Sequence, residues 1–242
     1  MSAKTWISST LCVWLAGAAQ AVTCEDIRYL DQSFSVCTVD ATQTAISLHL
    51  RDNTGSILGH FGALRETRQD AQLLFAMNAG MYHADHSPVG LYIEDGTETA
   101  PVITSAGPGN FGLLPNGVLC LSQTAAQVIE TRRFVAEGQT CAYATQSGPM
   151  LVIDGALHPR FIPDGTSRKI RNGVGTSADG HTAVFAISNQ PVNFYDFGRL
   201  FRDHLAIPNA LFLDGSISRL YAPDLGRSDG GFRMGPMIAV FE

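Results

Sequence analysis

Short apolar runs, each stopped by Gly, Asn, Asp or Pro, recur along most of the chain. Strand-like stretches are Phe34–Val39, Ala45–Leu50, Leu73–Met77, Val89–Ile93, Val118–Leu121, Gln127–Ile129, Met150–Ile153, Ala183–Ile187, Leu211–Leu213 and Met237–Phe241. Val, Ile and Phe dominate them, as pleated, half-buried surfaces require. Asp95-Gly96 and Asp154-Gly155 each follow such a run and predict tight hairpins. Helical spacing occurs in two places. One is Phe61 to Gln69. The other is Phe194 to Leu205, where Phe194, Phe197, Leu200, Phe201 and Leu205 share one face before Pro208 stops the helix.

Two runs share a distinctive ending. Leu73-Leu74-Phe75-Ala76-Met77 ends on Asn78-Ala79-Gly80, and Ala210-Leu211-Phe212-Leu213 ends on Asp214-Gly215-Ser216. Apolar runs without polar alternation suit strands covered on both faces. The small residues that follow let the backbone turn sharply at the sheet edge. Each run therefore delivers one polar side chain, Asn78 or Asp214, to the place where ligands usually bind. Many strands with few helices predict an α+β fold: one domain around a mixed, largely antiparallel sheet with few flanking helices. The likeness of the two endings suggests two related halves.

The N-terminus changes the length that has to be explained. Lys4, the apolar stretch Trp6 to Ala18 and the small-x-small site Ala19-Gln20-Ala21 predict a signal peptide over residues 1–21 rather than a membrane anchor. No lipoprotein-type run precedes Cys24. The mature chain, residues 22–242, is expected to be secreted or periplasmic, with no membrane span. Its formal charge moves from −6 to −7 when Lys4 leaves. So acidic a chain lacks the dense basic face that nucleic acid needs. Cys12 lies in the leader, and the remaining four cysteines suggest two disulfides in an oxidising compartment. Three pairings are open, of which the local ones, Cys24 with Cys37 and Cys120 with Cys141, are preferred. No Cys-x-x-Cys is present, which argues against a zinc ribbon or redox motif.

Candidate chemistry concentrates in four segments. Asn78 to Pro88 is the densest polar loop. Its His83, Asp85 and His86 are donors of the type that ligate metals, but their spacing is not that of a metalloprotease helix. Ser147-Gly148-Pro149 enters a strand without the Gly-x-Ser-x-Gly elbow of a serine hydrolase. Arg168-Lys169-Ile170-Arg171 is the tight central cationic cluster, and Arg171 precedes the small-residue strand Asn172 to Ser177. A guanidinium there matches the fork of a phosphate. Asp214, at a buried strand end, needs a partner or a shifted pKa.

These segments, in this order, resemble the phosphodiester glycosidase family. Asn78-Ala79-Gly80-Met81-Tyr82 with Pro88-Val89-Gly90-Leu91 is similar to the family's Asn-Gly-Gly-Phe-Phe and Pro-x-Gly-Leu. Gly148-Pro149-Met150-Leu151 is similar to its Gly-Pro-x-Leu. Arg171-Asn172-Gly173-Val174-Gly175 is similar to its Arg-Thr-Ala-Ile-Gly, and Leu213-Asp214-Gly215-Ser216-Ile217-Ser218 to its Leu-Asp-Gly-Gly-Gly-Ser. Ala79, Met81, Ser216 and Ile217 depart from the pattern, the last two standing where the family has glycine. The likeness covers about Leu73 to Phe241.

The resemblance implies an exported, glycosidase-type hydrolase that cleaves a sugar-1-phosphodiester linkage in a glycan or envelope polymer. It implies Asp214, Arg171 and Asn78 as catalytic residues. Arg171 would hold the phosphodiester, and Asp214 would serve as base, nucleophile or oxocarbenium stabiliser. Ser147, Gly148, His83, Asp85, Gly215, Ser216 and Ser218 would contact substrate. Asp85, Glu94 and His83 all remain open for a second acid–base role. No cofactor is expected. A metal-dependent hydrolase using His83, Asp85 and His86 is one alternative. The other is a non-catalytic protein that binds carbohydrate or envelope polymer on the same scaffold.

Overall fold

A computed structural model describes residues 21–214 and 217–242; residues 1–20 of the expected leader (1–21), together with Gly215 and Ser216, lie outside them. The strands form three sheets. In spatial order, the seven-stranded sheet runs Val22–Tyr29, Gln32–Asp40, Thr182–Ser188, Asn172–Thr176, Asn209–Phe212, Met150–Ile153 and Ala156–Leu157. The second runs Arg227–Ser228, Leu220–Ala222, Leu73–Asn78, Met237–Phe241 and Ile46–His49. The third runs Thr97–Ala100, Tyr92–Glu94, Tyr143–Ser147, Gly117–Leu121 and Ala126–Glu130. The fold class is α+β, as the run pattern predicts. It is more regular than expected, because the strand pairings among the described residues are antiparallel rather than mixed.

One apolar core draws on all three sheets. Phe75 and Met77 come from the second, Phe185, Val174 and Leu211 from the first, and Leu119 and Val128 from the third. Phe75 and Phe185 pack at 4.8 Å between ring centroids. Burying side chains of this size contributes about 1.5–3 kcal/mol each, which is what holds three separate sheets together. The two signature strands lie in different sheets, so their shared ending brings two sheet edges to one place.

The helix Phe194–Arg199 continues as a wider turn over Leu200–His204. It buries Phe197, Leu200 and Phe201 against Phe34, Leu151 and Phe212, the stripe expected from spacing. Asn193 caps it by accepting from Asp196 N at 2.8 Å. The first helix, Phe61–Glu66, is shorter than the pattern suggested. A third helix, Thr131–Glu137, escaped the sequence pattern because its two-turn length shows only one apolar stripe; Glu130 caps it and Gly138 ends it at φ 62°. Both Asp-Gly hairpins form, with positive φ at Asp95, Gly96, Asp154 and Gly155. The strand Val22–Tyr29 carries no clean alternation because it is an edge strand, exposed along much of its length.

Cys24–Cys37 and Cys120–Cys141 are both disulfide-bonded. The first ties that edge strand to its neighbour at directly paired positions. Replacing both Cys120 and Cys141 by Ser is expected to lower stability by about 3 kcal/mol, the loop-closure effect for this separation. A shift of the urea midpoint at unchanged slope measures it. A second expectation concerns His49 on the edge strand Ile46–His49, which shares a 2.9 Å hydrogen bond with Ser47 Oγ. Burial, followed by the nearby Arg68 cation, pulls its pKa down to about 4. The unfolded chain therefore takes up a proton first as pH falls. Stability present above the ordinary histidine pKa is lost on the way to the native one. Between pH 7 and 4.5 the loss from His49 should be about 2–3 kcal/mol, and His49→Gln should remove that part of the slope.

Candidate active site

Strand ends from all three sheets converge around two buried carboxamides. Asn78, the last residue of its strand, and Asn172, the first of its own, are 1% and 0% exposed. Asn172 Nδ2 donates to Asn78 Oδ1 at 3.1 Å and to the Asn78 carbonyl at 3.2 Å, and Asn78 Nδ2 donates back to Asn172 Oδ1 at 3.4 Å. The free lone pairs then take up chain from the signature loop. Asp214 N donates to Asn172 Oδ1 at 3.2 Å, and Arg219 N donates to Asn78 Oδ1 at 2.8 Å. Ser218 Oγ lies 3.2 Å from Asn172 Oδ1, 3.0 Å from the Asp214 carbonyl and 3.1 Å from that of Ile170. Ser147, at the end of the third sheet's strand, donates its hydroxyl to the Leu213 carbonyl. These amide and hydroxyl groups hold the backbone on both sides of Asp214.

Asp214 itself, 8% exposed, stands on the wall of a cavity of about 660 Å³. That volume is in the range of small-molecule sites. Two loops form the rest of the wall, one from Met81 to Val89 and the other from Ile103 to Phe111. A single buried side chain anchors both. Gln146 Oε1 accepts from Leu91 N at 3.1 Å and Ile103 N at 2.9 Å, while its Nε2 donates to the Ile103 carbonyl at 2.6 Å and to Thr131 Oγ1 at 3.1 Å. This explains why the strand expected from Val89 begins only at Tyr92: the Gln146 amide takes the place of a ladder partner. Gly80 is required where the first loop leaves its sheet, because a Cβ there would lie 2.5 Å from Thr145 Oγ1 and from the Gln146 carbonyl.

The charge around the cavity centres on Tyr82. Its hydroxyl is pushed up to about 12, first by burial and then by the Asp214 carboxylate, with the Arg219 cation pulling the other way. Tyr82 therefore stays protonated at neutral pH, and Arg219, which is not itself a lining residue, is the cation coupled to it. Among the described residues Arg219 Nε is buried without a hydrogen-bond partner. Sequence reasoning passed Arg219 over; its only signal was its place five residues after Asp214.

The other expected site residues fall as follows. His83 lines the cavity and is exposed. Asn78 and Ser147 are buried, bonded to protein partners and absent from the cavity wall. Gly148 is buried at the turn into Met150–Ile153. Asp85 is exposed and accepts from Ser87 N and Oγ at 2.9 and 2.6 Å, closing its own turn. Glu94 accepts from Tyr92 O–H at 2.6 Å, has a pKa raised by burial, and does not line the cavity. His86 stacks on Tyr82 at 5.5 Å. Among the described residues no three His, Cys, Asp or Glu side chains gather as a metal set would, so His83, Asp85 and His86 do not converge. Gly215 and Ser216 lie outside the described residues.

Arg171 lies apart from the Asp214 cavity. Neighbours along a strand point to opposite faces, so while Asn172 joins the carboxamide cluster, Arg171 enters the aromatic layer. Its guanidinium carbon lies 3.5 Å from the centre of the Phe194 ring. Nε donates to the Val192 carbonyl and Nη2 to the Ser167 carbonyl, at 2.9 and 2.8 Å. Arg171 is 1% exposed and does not line the Asp214 cavity. Burial lowers its pKa, but a guanidinium remains charged. It ties the 163–169 and 189–194 segments to the sheet.

Comparison with known proteins agrees with this architecture. A family model described as phosphodiester glycosidase matches residues 71–236. The uncharacterized protein YigE of Escherichia coli K12 is 34% identical over 204 residues, covering 83% of this chain and 80% of that protein. Among solved structures, the catalytic domain of zebrafish N-acetylglucosamine-1-phosphodiester alpha-N-acetylglucosaminidase, auto-inhibited by its pro-peptide, superposes with a TM-score of 0.60 at 14% identity. The match covers 93% of this chain and 85% of that one. A hypothetical protein from Synechocystis gives 0.57 at 14% identity, covering 91% and 62%. At such identities the structural likeness shows the shared fold.

Asn172→Ala should cost about 2–3 kcal/mol, because it strands the Asn78 amide and the Asp214 N–H in a dry environment. Equilibrium urea unfolding measures this. Slow amide exchange at Asp214 and Arg219 should be lost in the same variant, whereas a remote cavity mutation would spare it.

Proposed function

The chain belongs to the phosphodiester glycosidase family, and on that premise we propose that it hydrolyses a sugar-1-phosphodiester bond, with Asp214 as the catalytic carboxylate. The observation that carries this reading is the position of Asp214. Among the described residues it is the one acid on the cavity wall, and the Asn78–Asn172 pair and Ser218 hold its backbone in place. A preorganised carboxylate in a shaped cavity suits an oxocarbenium-like transition state, as nucleophile or as charge stabiliser. The departing phosphate monoester is a good leaving group, so a strong acid is unnecessary. The Arg219 cation, coupled to Tyr82 beside Asp214, supplies the charge that an anionic leaving group needs. Arg219 thus takes the role first assigned to Arg171. His83 is the remaining titratable group on the wall, and it takes the acid–base role in preference to Asp85 or Glu94.

The protein acts outside the cytoplasm in this proposal. Two disulfides support that placement, and no helix among the described residues is long and apolar enough to cross a membrane. Its substrate belongs to a glycan or envelope polymer.

The test is turnover of sugar-1-phosphodiesters by purified protein. Asp214→Asn should lower kcat/KM by at least about 10²-fold. Arg219→Met should lower it by about tenfold or more, largely through leaving-group stabilisation. Arg171→Lys should lower the unfolding midpoint while the folded fraction keeps its rate within a few-fold. Loss of rate in Arg171→Lys at unchanged stability, with Arg219→Met silent, would return the phosphate to Arg171. Saturable glycan binding with no product in a sensitive assay would favour the non-catalytic alternative, which the branched side chain of Ile217 on the cavity wall motivates.

A further inference from the structure

We infer that the group esterified to the sugar phosphate is apolar, an alkyl or isoprenoid chain, and that the Asp214 cavity seats its first carbons. This rests on the hydrolysis proposed above and names its substrate class.

Two observations carry the inference. The first is how polarity is distributed over the wall. Met81, Val89, Ile103, Phe111 and Ile217 are buried or half-buried and offer no hydrogen-bonding side-chain atom. Of the polar side chains on the described wall, His83, Ser105 and Asn110 are exposed, and only Tyr82 and Asp214 are withdrawn from solvent. A second sugar or a nucleoside in this cavity would lose hydration from several hydroxyls and recover few hydrogen bonds, which discriminates strongly against it. A hydrocarbon chain gains from the same wall with each methylene buried. Ile217 adds a branched side chain where the similar family motif has glycine, which enlarges the apolar wall next to Asp214.

The second observation lies just outside. Phe232 is 81% exposed, the largest exposure among the large apolar side chains described. The adjacent Arg233 carbonyl accepts the Tyr82 hydroxyl at 3.2 Å, so the Phe232 step flanks the cavity. Phe232 adds exposed aromatic surface near the apolar wall, where it can touch a hydrocarbon chain that projects from the cavity.

The experiment compares methyl, butyl and octyl diesters of one sugar 1-phosphate below their micellar concentrations, with a UDP-sugar as the polar competitor. kcat/KM should rise about threefold to fourfold per methylene until the cavity is filled. Ile217→Ser, checked by circular dichroism for folding, should flatten that rise. Equal turnover of methyl and octyl esters, or preference for the UDP-sugar, would overturn the inference and leave the hydrolysis standing. If no diester turns over, the hydrolysis fails, and calorimetric binding of the matching alkyl phosphonate analogues decides the inference. Affinity that climbs with chain length supports it, and flat affinity overturns it. With octyl diester in anionic and in neutral vesicles, Phe232→Ser should slow turnover in both and leave the soluble methyl ester unaffected. Slowing in neither would remove the part assigned to Phe232.

Discussion

Two side-chain amides, Asn78 and Asn172, join sheets that share a core but no backbone ladder at this point. A carboxamide has both donors and acceptors, so a facing pair can bond to each other and still accept backbone N–H groups. Here those extra acceptors take Asp214 N and Arg219 N, the two ends of the signature loop. Removing either amide would leave several buried polar groups without partners, and in a dry interior each such loss is expensive. The backbone at Asp214 and at Arg219 takes its position from this pair.

Burial divides the neighbouring residues into those bonded within the protein and those that line the cavity. Asn78, Asn172, Ser147 and Gln146 are fully buried and spend their hydrogen bonds on the protein. Asp214, Tyr82 and His83 keep access to the cavity. Arg171 shows how far apart two neighbouring residues can be in role. Two backbone carbonyls and the Phe194 face offset part of the cost of burying its charge, while its Nη1 is buried without a hydrogen-bond partner among the described residues. Its contribution is to hold the 163–169 and 189–194 segments against the sheet.

The walls show the same separation between scaffold and specificity. The loops 81–89 and 103–111 descend from different strands, and Gln146 fixes both at their bases. Their inner residues are free to vary without disturbing that anchor.

Local pattern determined much of this protein. Run lengths and Asp-Gly steps specified most strands and both hairpins, helical spacing specified the Phe197–Phe201 stripe, and the strand endings marked Asn78 and Asp214. These features are legible because period, turn chemistry and strand termination act over a few residues. The edge strand Val22–Tyr29 and the short helix Thr131–Glu137 were not, since a register partner and an end cap decide them. Only the tertiary structure separates the surroundings of two arginines that look alike in sequence. Arg171 and Arg219 each stand beside a small-residue segment, and nothing local tells them apart. Strand alternation and the position of Phe194 send one guanidinium into the aromatic layer, while the Asn78 carboxamide holds the other's backbone beside Tyr82 and Asp214. Side-chain direction depends on what the folded chain packs against, and that information is spread over residues more than a hundred positions apart.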